Sequence, residues 1–543
     1  MAVSQPAGVD RPGQALLQDV PGDAEPPLGD RAVSPGRRCS FVPPQGSELH
    51  DETQPSNVRF VRGISTAVAG PVPTVGAHSS RVFLATALGA FMASLDLSIV
   101  NVAFPALQRS FPHDSRAALA WVITGYSIVF GSLLVTAGRS ADRLGRRRVF
   151  FAGLAVFSLG SALCGLAPSV SLLVAGRLIQ GCGAAAMLPA SLGLLLGAFP
   201  SERRSQVVAM WGGVGALAVA TGPSLGAALI SAGGWRWAFY VNLPVGALAW
   251  VLGRRVLSGA RPDETPARPD YLGVVLVSTA MATLVLGISE GPSWGWSSGR
   301  IVVCFVAAAI LGSAFLRRCA HHVEPVLDLT LFSARSFSVA NGATLLYAMG
   351  FFAMLLGNIL FLTGVWHYSI LTAGLSVTPG PLVVAAVSGP AGRLAASIGF
   401  RRVLVAGTAC FTGGLVWYAT RVGLEPAYLT RWLPATLITG FGIGLTFPVL
   451  SAAAVSSLHP ERFAVGSAVN QTARQVGGAF GVALLVVILG SPRTPSAALE
   501  NFRHLWWYAA SMAVLSGLAC GFLRPPNATA HRRVAPESAT AQV

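Results

Sequence analysis

Asp96 is the one carboxylate inside any long apolar run of this chain, and Arg177 and Arg474 stand deep within two other runs. A charged group at hydrocarbon depth costs several kcal/mol on most scales, so such residues face an interior or a water-filled cavity and need partners. A carboxylate there can bind and release a proton, or it can serve as a fixed ion-pair partner. Asp96 lies late in the first run and Arg177 early in the fourth. If the first run points outward and the fourth inward, both fall in the outer third, and contact between them is open. Gln180 sits one turn from Arg177 on the same helical face. Asn101, five residues beyond Asp96, faces a neighbouring helix or is a packing amide. Asn470, Gln471 and Arg474 form a polar turn suited to a substrate or gate contact, and Asn341 and Asn358 are candidates for lining a cavity.

These residues require long apolar helices to hold them. The 543-residue chain is 53% hydrophobic and only 11% charged, which excludes a soluble domain of this size. Fourteen runs are long enough to span hydrocarbon, the first near 82–104, the sixth near 237–257, the tenth near 372–391 and the last near 504–523. An all-α integral membrane protein follows, with fourteen transmembrane helices arranged as 6+2+6. The expected parts are a disordered cytoplasmic tail at 1–80, six-helix bundles at 81–257 and 337–523, a two-helix insertion at 258–336 and a cytoplasmic tail at 524–543. The first 80 residues are too polar and Pro/Gly-rich to order themselves, and they lack the apolar core of a signal peptide.

The stretch Gly138–Arg148, read GRSADRLGRRR, concentrates arginine between two apolar runs, which marks a cytoplasmic turn. A second copy, GRLAASIGFRR, spans Gly392–Arg402, with Ala396 and Ser397 in place of Asp142 and Arg143. Gly181, Gly183 and Pro189 recur as Gly440, Gly442 and Pro448, and Gly222 and Gly226 as Gly477 and Gly481. The chain is therefore duplicated, on the plan of transporters with parallel repeats. Gly138, Asp142, Arg143, Gly145 and Arg146 are read as a conformational device, with Asp142 organising the arginines and the glycines allowing the reversal. Gly215, Gly222, Pro223 and Gly226 give the fifth helix a small-residue face, read as structural or gating.

Several function classes drop out. The formal charge of +16 comes from arginine alone, segregated by loop side, which orients a membrane protein and is no nucleic-acid footprint. With no lysine there is no phosphate-binding GxxxxGK[ST], and HExxH is also missing. The seven cysteines have neither metal-ligand nor redox spacing, so no metal and no cofactor is expected.

The arginine loop resembles the signature between helices two and three of the major facilitator superfamily. Leu95–Pro105 (LDLSIVNVAFP), Trp121–Tyr126 (WVITGY), Arg177–Gly181 (RLIQG), Gly222–Ala227 (GPSLGA) and Trp235–Gly246 (WRWAFYVNLPVG) resemble its fourteen-helix drug/proton antiporter branch. Ala227 departs from the motif, which usually has a second glycine there. The resemblance implies a cell-membrane exporter with both termini cytoplasmic, moving amphipathic, cationic or neutral drug-like compounds outward against protons by alternating access. It implies a proton-binding role for Asp96 and a part in proton transfer for Arg177. The partners are then the substrate, protons and the bilayer, with no nucleic acid and no enzymatic reaction. A narrow-substrate exporter of a metabolite or self-made antibiotic is the alternative, and a non-transporting sensor a more distant one.

Overall fold

The computed structural model describes residues 77–200, 203–257, 270–458 and 462–523. The expected N-terminal tail lies outside them except for residues 77–80, which already belong to the first helix, and the expected C-terminal tail lies outside them altogether. Among the described residues the regular structure is all helical. It comprises α1 (Ala77–Ser110), α2 (Arg116–Leu144), α3 (Arg146–Leu166), α4 (Val170–Gly197), α5 (Arg204–Gly233), α6 (Trp237–Tyr240), α7 (Asn242–Val256) and α8 (Tyr271–Trp294). It continues with α9 (Gly299–His321), α10 (Arg335–Gly364), α11 (Ile370–Val377), α12 (Pro379–Ile398), α13 (Phe400–Arg421), α14 (Leu433–Val455), α15 (Phe463–Leu489) and α16 (Pro495–Cys520).

Twelve of the described helical segments are long and apolar enough to cross a membrane, where fourteen runs were expected. This is a multi-pass membrane protein. The two shortfalls have local causes. The sixth run is interrupted between Tyr240 and Asn242, because Pro244 has no N–H to return to Tyr240 and the proline is tolerated only in the first turn of α7. The last run starts earlier than expected, at Pro495, capped by Thr494, whose hydroxyl accepts from Ala497 N–H at 3.2 Å. Its opening turns therefore carry Glu500, paired with Arg503 and His504 at 3.5 Å each. The tenth run bends at Thr378, where α11 gives way to α12 at Pro379.

The arginine stretch is less of a loop than expected. Gly138–Leu144 ends α2 and Arg146–Arg148 starts α3, with Gly145 alone between them at φ +94°. Gly399 joins α12 to α13 in the same way at φ +93°. Both reversals need a residue that tolerates positive φ, and glycine has no Cβ to oppose it.

The duplication is visible in helix crossings. A Cβ on Gly153 of α3 would lie 2.7 Å from Met187 N, and one on Gly183 of α4 would land on the Phe157 backbone. In α13 and α14 the pattern repeats: a Cβ on Gly407 would lie 2.9 Å from the Leu445 Cβ, and one on Gly442 2.5 Å from Phe411 N. Small residues let these backbones touch, which is how helices associate where lipid removes the hydrophobic drive between them.

Between α1–α7 and α10–α16, α2 packs along α15, where Thr472 Oγ1 donates to Gly131 O at 2.8 Å. At the end away from the arginine turns, Arg116 Nη1 donates to Gly490 O at 2.8 Å, and Gly374 of α11 has no room for a Cβ beside Pro223 O and Ala227 of α5. Gly380, Ala391 and Ala395 are the only buried residues of α12, and Met210 and Leu217 of α5 are exposed. The α8–α9 pair lies against α2 and α15 through Val285, Ile128 and Ala479. Its rim is tied by Asp270, the N-cap of α8, which accepts from Gly273 N at 2.8 Å and Arg318 Nε at 2.6 Å. Burial would raise the Asp270 pKa, but the Arg318 hydrogen bond, the Gly273 N–H and nearby positive charge together hold it below its usual value.

Candidate functional site

Four helices converge on Asp96. It lies in α1, which packs on α5 because Gly222 and Gly226 offer no side chain against Ser98 and Ile99. Arg177 and Gln180 come from α4. Gly160 of α3 admits α4 so closely that a Cβ there would lie 2.7 Å from Gln180 N, and this approach brings Ser161 into reach. Asn242 opens α7, delivered to the cluster by the interruption before it.

Asp96, Arg177, Gln180, Ser161 and Asn242 are all fully buried. Arg177 Nη1 donates to Asp96 Oδ2 at 2.6 Å and to Gln180 Oε1 at 2.7 Å. The other carboxylate oxygen accepts from Gln180 Nε2 at 2.8 Å and from Asn242 Nδ2 at 3.0 Å. Asn242 Nδ2 and Gln180 Nε2 also reach Ser161 Oγ, at 3.0 and 3.3 Å, and Ser161 donates to Phe239 O. Arg177 Nε donates to Val122 O at 2.8 Å, and its guanidinium lies 4.1 Å from the Tyr126 ring centroid. Every hydrogen bond to Asp96 is a donor, so the arrangement fits the ionised carboxylate. Protonation would add a donor where the neighbours already donate, and would weaken the hold on Arg177. Within this cluster, Arg177 Nη2 and Asn242 Oδ1 have no hydrogen-bond partner.

Asp96, Arg177 and Gln180 thus meet as their depths allowed. Asn242 and Ser161 were not singled out from the sequence, although Asn242 stands inside the Trp235–Gly246 stretch as its lone amide. Asn101 is no part of the cluster: its amide donates back to Leu97 O at 2.6 Å and its oxygen has no partner.

The candidates of the other repeat are scattered. Asn341 and Asn470 face each other and line no open space, with Asn470 Nδ2 donating to Asn341 Oδ1 at 3.2 Å and Thr344 Oγ1 at 2.9 Å, and Ser451 donating to Asn470. Asn358 accepts from Trp506 Nε1 at 3.0 Å inside an aromatic cluster. Gln471 is half-buried. Arg474 lies with its guanidinium 4.0 Å from the Phe447 ring centroid.

At the turn, Arg146 pairs with Asp142 at 2.9 Å and also donates to Gly193 O, both groups well exposed, while Arg143 and Gly138 make no polar contact with it. In α5, Gly215, Gly222 and Gly226 face α1 of the same repeat, so the contact across repeats falls to Pro223 and Ala227 against Gly374. Ala227, the departure from the motif, thus adds the methyl that meets α11. No group of His, Cys, Asp and Glu side chains suited to a metal occurs among the described residues.

A family model described as Major Facilitator Superfamily matches residues 86–482. The chain is 34% identical over 407 residues to a multidrug resistance protein B homolog of Mycobacterium tuberculosis, covering 74% of each chain. It is 34% identical over 454 residues to the tetracenomycin C resistance and export protein of Streptomyces glaucescens, covering 82% of this chain and 80% of the relative. It is 32% identical over 455 residues to a methylenomycin A resistance protein of Bacillus subtilis, covering 83% and 95%. Among solved structures, an auto-inhibited POT family peptide transporter matches with a TM-score of 0.60 at 15% identity, over 86% of this chain and 98% of that one, a likeness of fold alone.

Proposed function

The chain belongs to the major facilitator superfamily, and on that premise we propose a proton-driven exporter of amphipathic, drug-like compounds. The multidrug and antibiotic resistance names of its relatives support export of such compounds. The single observation that carries the proton is the buried Asp96–Arg177 pair, a titratable group clamped by donors, with no other carboxylate deep in the apolar helices among the described residues. When Asp96 binds a proton it releases Arg177, and when it loses one the clamp re-forms. Gln180, Asn242 and Ser161 hold the carboxylate in register for both states.

The reading extends to topology. The interrupted α6–α7 and the polar-tipped α16 count as two further crossings, which gives fourteen in a 6+2+6 order with the arginine turns and both termini in the cytoplasm of a cell-membrane protein. The contacts at Gly374 and Arg116 then close the outer face while the inner face is open, one state of an alternating-access cycle. The Asp142–Arg146 turn and the Pro223–Ala227 contact belong to the parts that move. One proton moved down 100 mV supplies about 2.3 kcal/mol. At about 1.4 kcal/mol per tenfold, that sustains roughly a fortyfold substrate gradient at one-to-one exchange.

Everted membrane vesicles test this directly. Energised vesicles holding the chain should accumulate a fluorescent amphipathic compound, and a protonophore should abolish the accumulation. Accumulation that survives the protonophore removes the proton from the mechanism. No accumulation across a broad compound panel removes export, and favours a sensor built on the same fold. The tetracenomycin C and methylenomycin A names among the relatives favour, as a second reading, an exporter devoted to one natural product.

A further inference from the structure

Arg474 sits about 16 Å along α15 from its first residue, near the middle of the apolar thickness. Among the described residues it makes no ion pair and no hydrogen bond; its guanidinium lies over the Phe447 ring, with the Tyr347 hydroxyl near enough to interact electrostatically. Asp96, the one carboxylate deep in the described apolar helices, is taken by Arg177. A guanidinium left uncompensated in such a place is expensive unless water or an anion reaches it.

Its surroundings say which side is reached. Asn470, one turn earlier, is locked to Asn341 and Thr344 of α10 and to Ser451 of α14, which fixes the rotation of α15. Thr472 and Gln475 face α2. Arg474 therefore stands between α14 and α2, where the two repeats face each other, and it is half-buried, not sealed. Phe447 is held edge-to-face by Tyr347 and Phe351, each with ring centroid 5.0 Å away, so the guanidinium lies on a ring that is itself packed in place. A ring on one face of a guanidinium leaves its edge N–H groups free, and that planar fork is the geometry that takes a carboxylate by two parallel hydrogen bonds.

We propose that Arg474, held on the Phe447 ring, forms the subsite for an acidic group, so that the preferred cargo is an amphipathic organic carboxylate. This rests on the exporter reading and narrows it, against the cationic or neutral cargo implied by family resemblance. The acid meets Arg474 from the side opposite Phe447, and the Asp96 site handles the proton separately in the other repeat.

The test uses the purified full chain in neutral detergent and two matched probes, anthraquinone-2-carboxylate and anthraquinone-2-carboxamide, with binding measured calorimetrically. The native protein should bind the carboxylate at least tenfold more tightly than the amide. Arg474→Gln should bring carboxylate binding down to the amide's level, and Arg474→Lys, which keeps charge but not the fork, should retain an intermediate preference. Equal binding of the two probes by the native protein, binding of neither, or a full preference surviving in Arg474→Gln overturns the proposal. Should Arg474→Gln fail to fold, the native ratio and the lysine variant decide. Proton-driven uptake in vesicles separates this from the wider reading. Uptake without carboxylate preference sinks the subsite alone, and carboxylate preference without proton-driven uptake sinks the exporter reading and leaves the subsite.

Discussion

Four residues before Gly181 stands Arg177, and four before its repeat partner Gly440 stands Thr436. The scaffolds around the two positions match: α3 crosses α4 through Gly153 and Gly183 as α13 crosses α14 through Gly407 and Gly442. Their contents do not. Around Arg177 lie a carboxylate, two amides and a serine. Around Thr436 lie the Tyr418 hydroxyl at 2.7 Å, the Trp432 carbonyl, and a packed group of Trp432, Trp506 and Phe361. Duplication copied the helix packing, and divergence left the titratable pair in one copy. On the proposed reading a single carboxylate gives one proton site, while the second copy carries the unpaired Arg474. The arginine turns show the same asymmetry, since Asp142 pairs with Arg146 where the second turn has Ala396.

The largest effect should come from breaking the charged side of this comparison. Arg177→Ala leaves Asp96 buried with amide donors only, a loss of about 3–5 kcal/mol. Thr436→Val removes one hydroxyl's bonds and costs about 1 kcal/mol. Thermal unfolding in detergent should rank the two clearly, and equal losses would mean that Arg177 is no more than a packing residue.

The shared scaffold predicts the opposite result for its glycines. Gly183→Ala and Gly442→Ala each drive a methyl onto the backbone of a facing phenylalanine, Phe157 or Phe411, and each should cost about 1–3 kcal/mol. Similar falls in unfolding temperature sharpen the claim that only the chemistry diverged. A large loss at one crossing and none at the other breaks it.

What could be read from the sequence follows the same division. That Asp96 and Arg177 could meet was legible because each is an isolated charge in an apolar run, and helix direction puts both at one depth. The glycine crossings were legible as repeated small residues. Ser161 and Asn242 were not, because one polar residue in an apolar helix looks alike whether it serves a site or satisfies a neighbour. For the same reason Asn341 read as cavity-lining and Asn470 as a substrate or gate contact, whereas they bond to each other. The interruption before Asn242 rests on the missing N–H of Pro244, a signal that a hydropathy window averages away.

A smaller effect should appear at the rim of α8–α9, outside both repeats. Folding lowers the Asp270 pKa, so its stabilisation is fully present above the unfolded value, about 3.9, and is lost as pH falls through the folded value. The gap in unfolding temperature between native protein and Asp270→Asn should therefore be open at pH 7 and narrow below pH 4. A gap that stays constant with pH would show that the Asp270–Arg318 pair adds nothing through its charge.

The proposed proton site is tested most directly by flux in liposomes. Native protein and Asp96→Asn, both monodisperse by gel filtration, are reconstituted at equal density, a pH gradient is imposed, and a trapped dye follows the protons moved when substrate is added. If Asp96 carries the coupled proton, the native protein gives a substrate-dependent proton flux and Asp96→Asn falls to the level of protein-free liposomes. A substrate-dependent flux in Asp96→Asn equal to that of the native protein would contradict this, leaving the carboxylate a fixed ion-pair partner with proton coupling elsewhere.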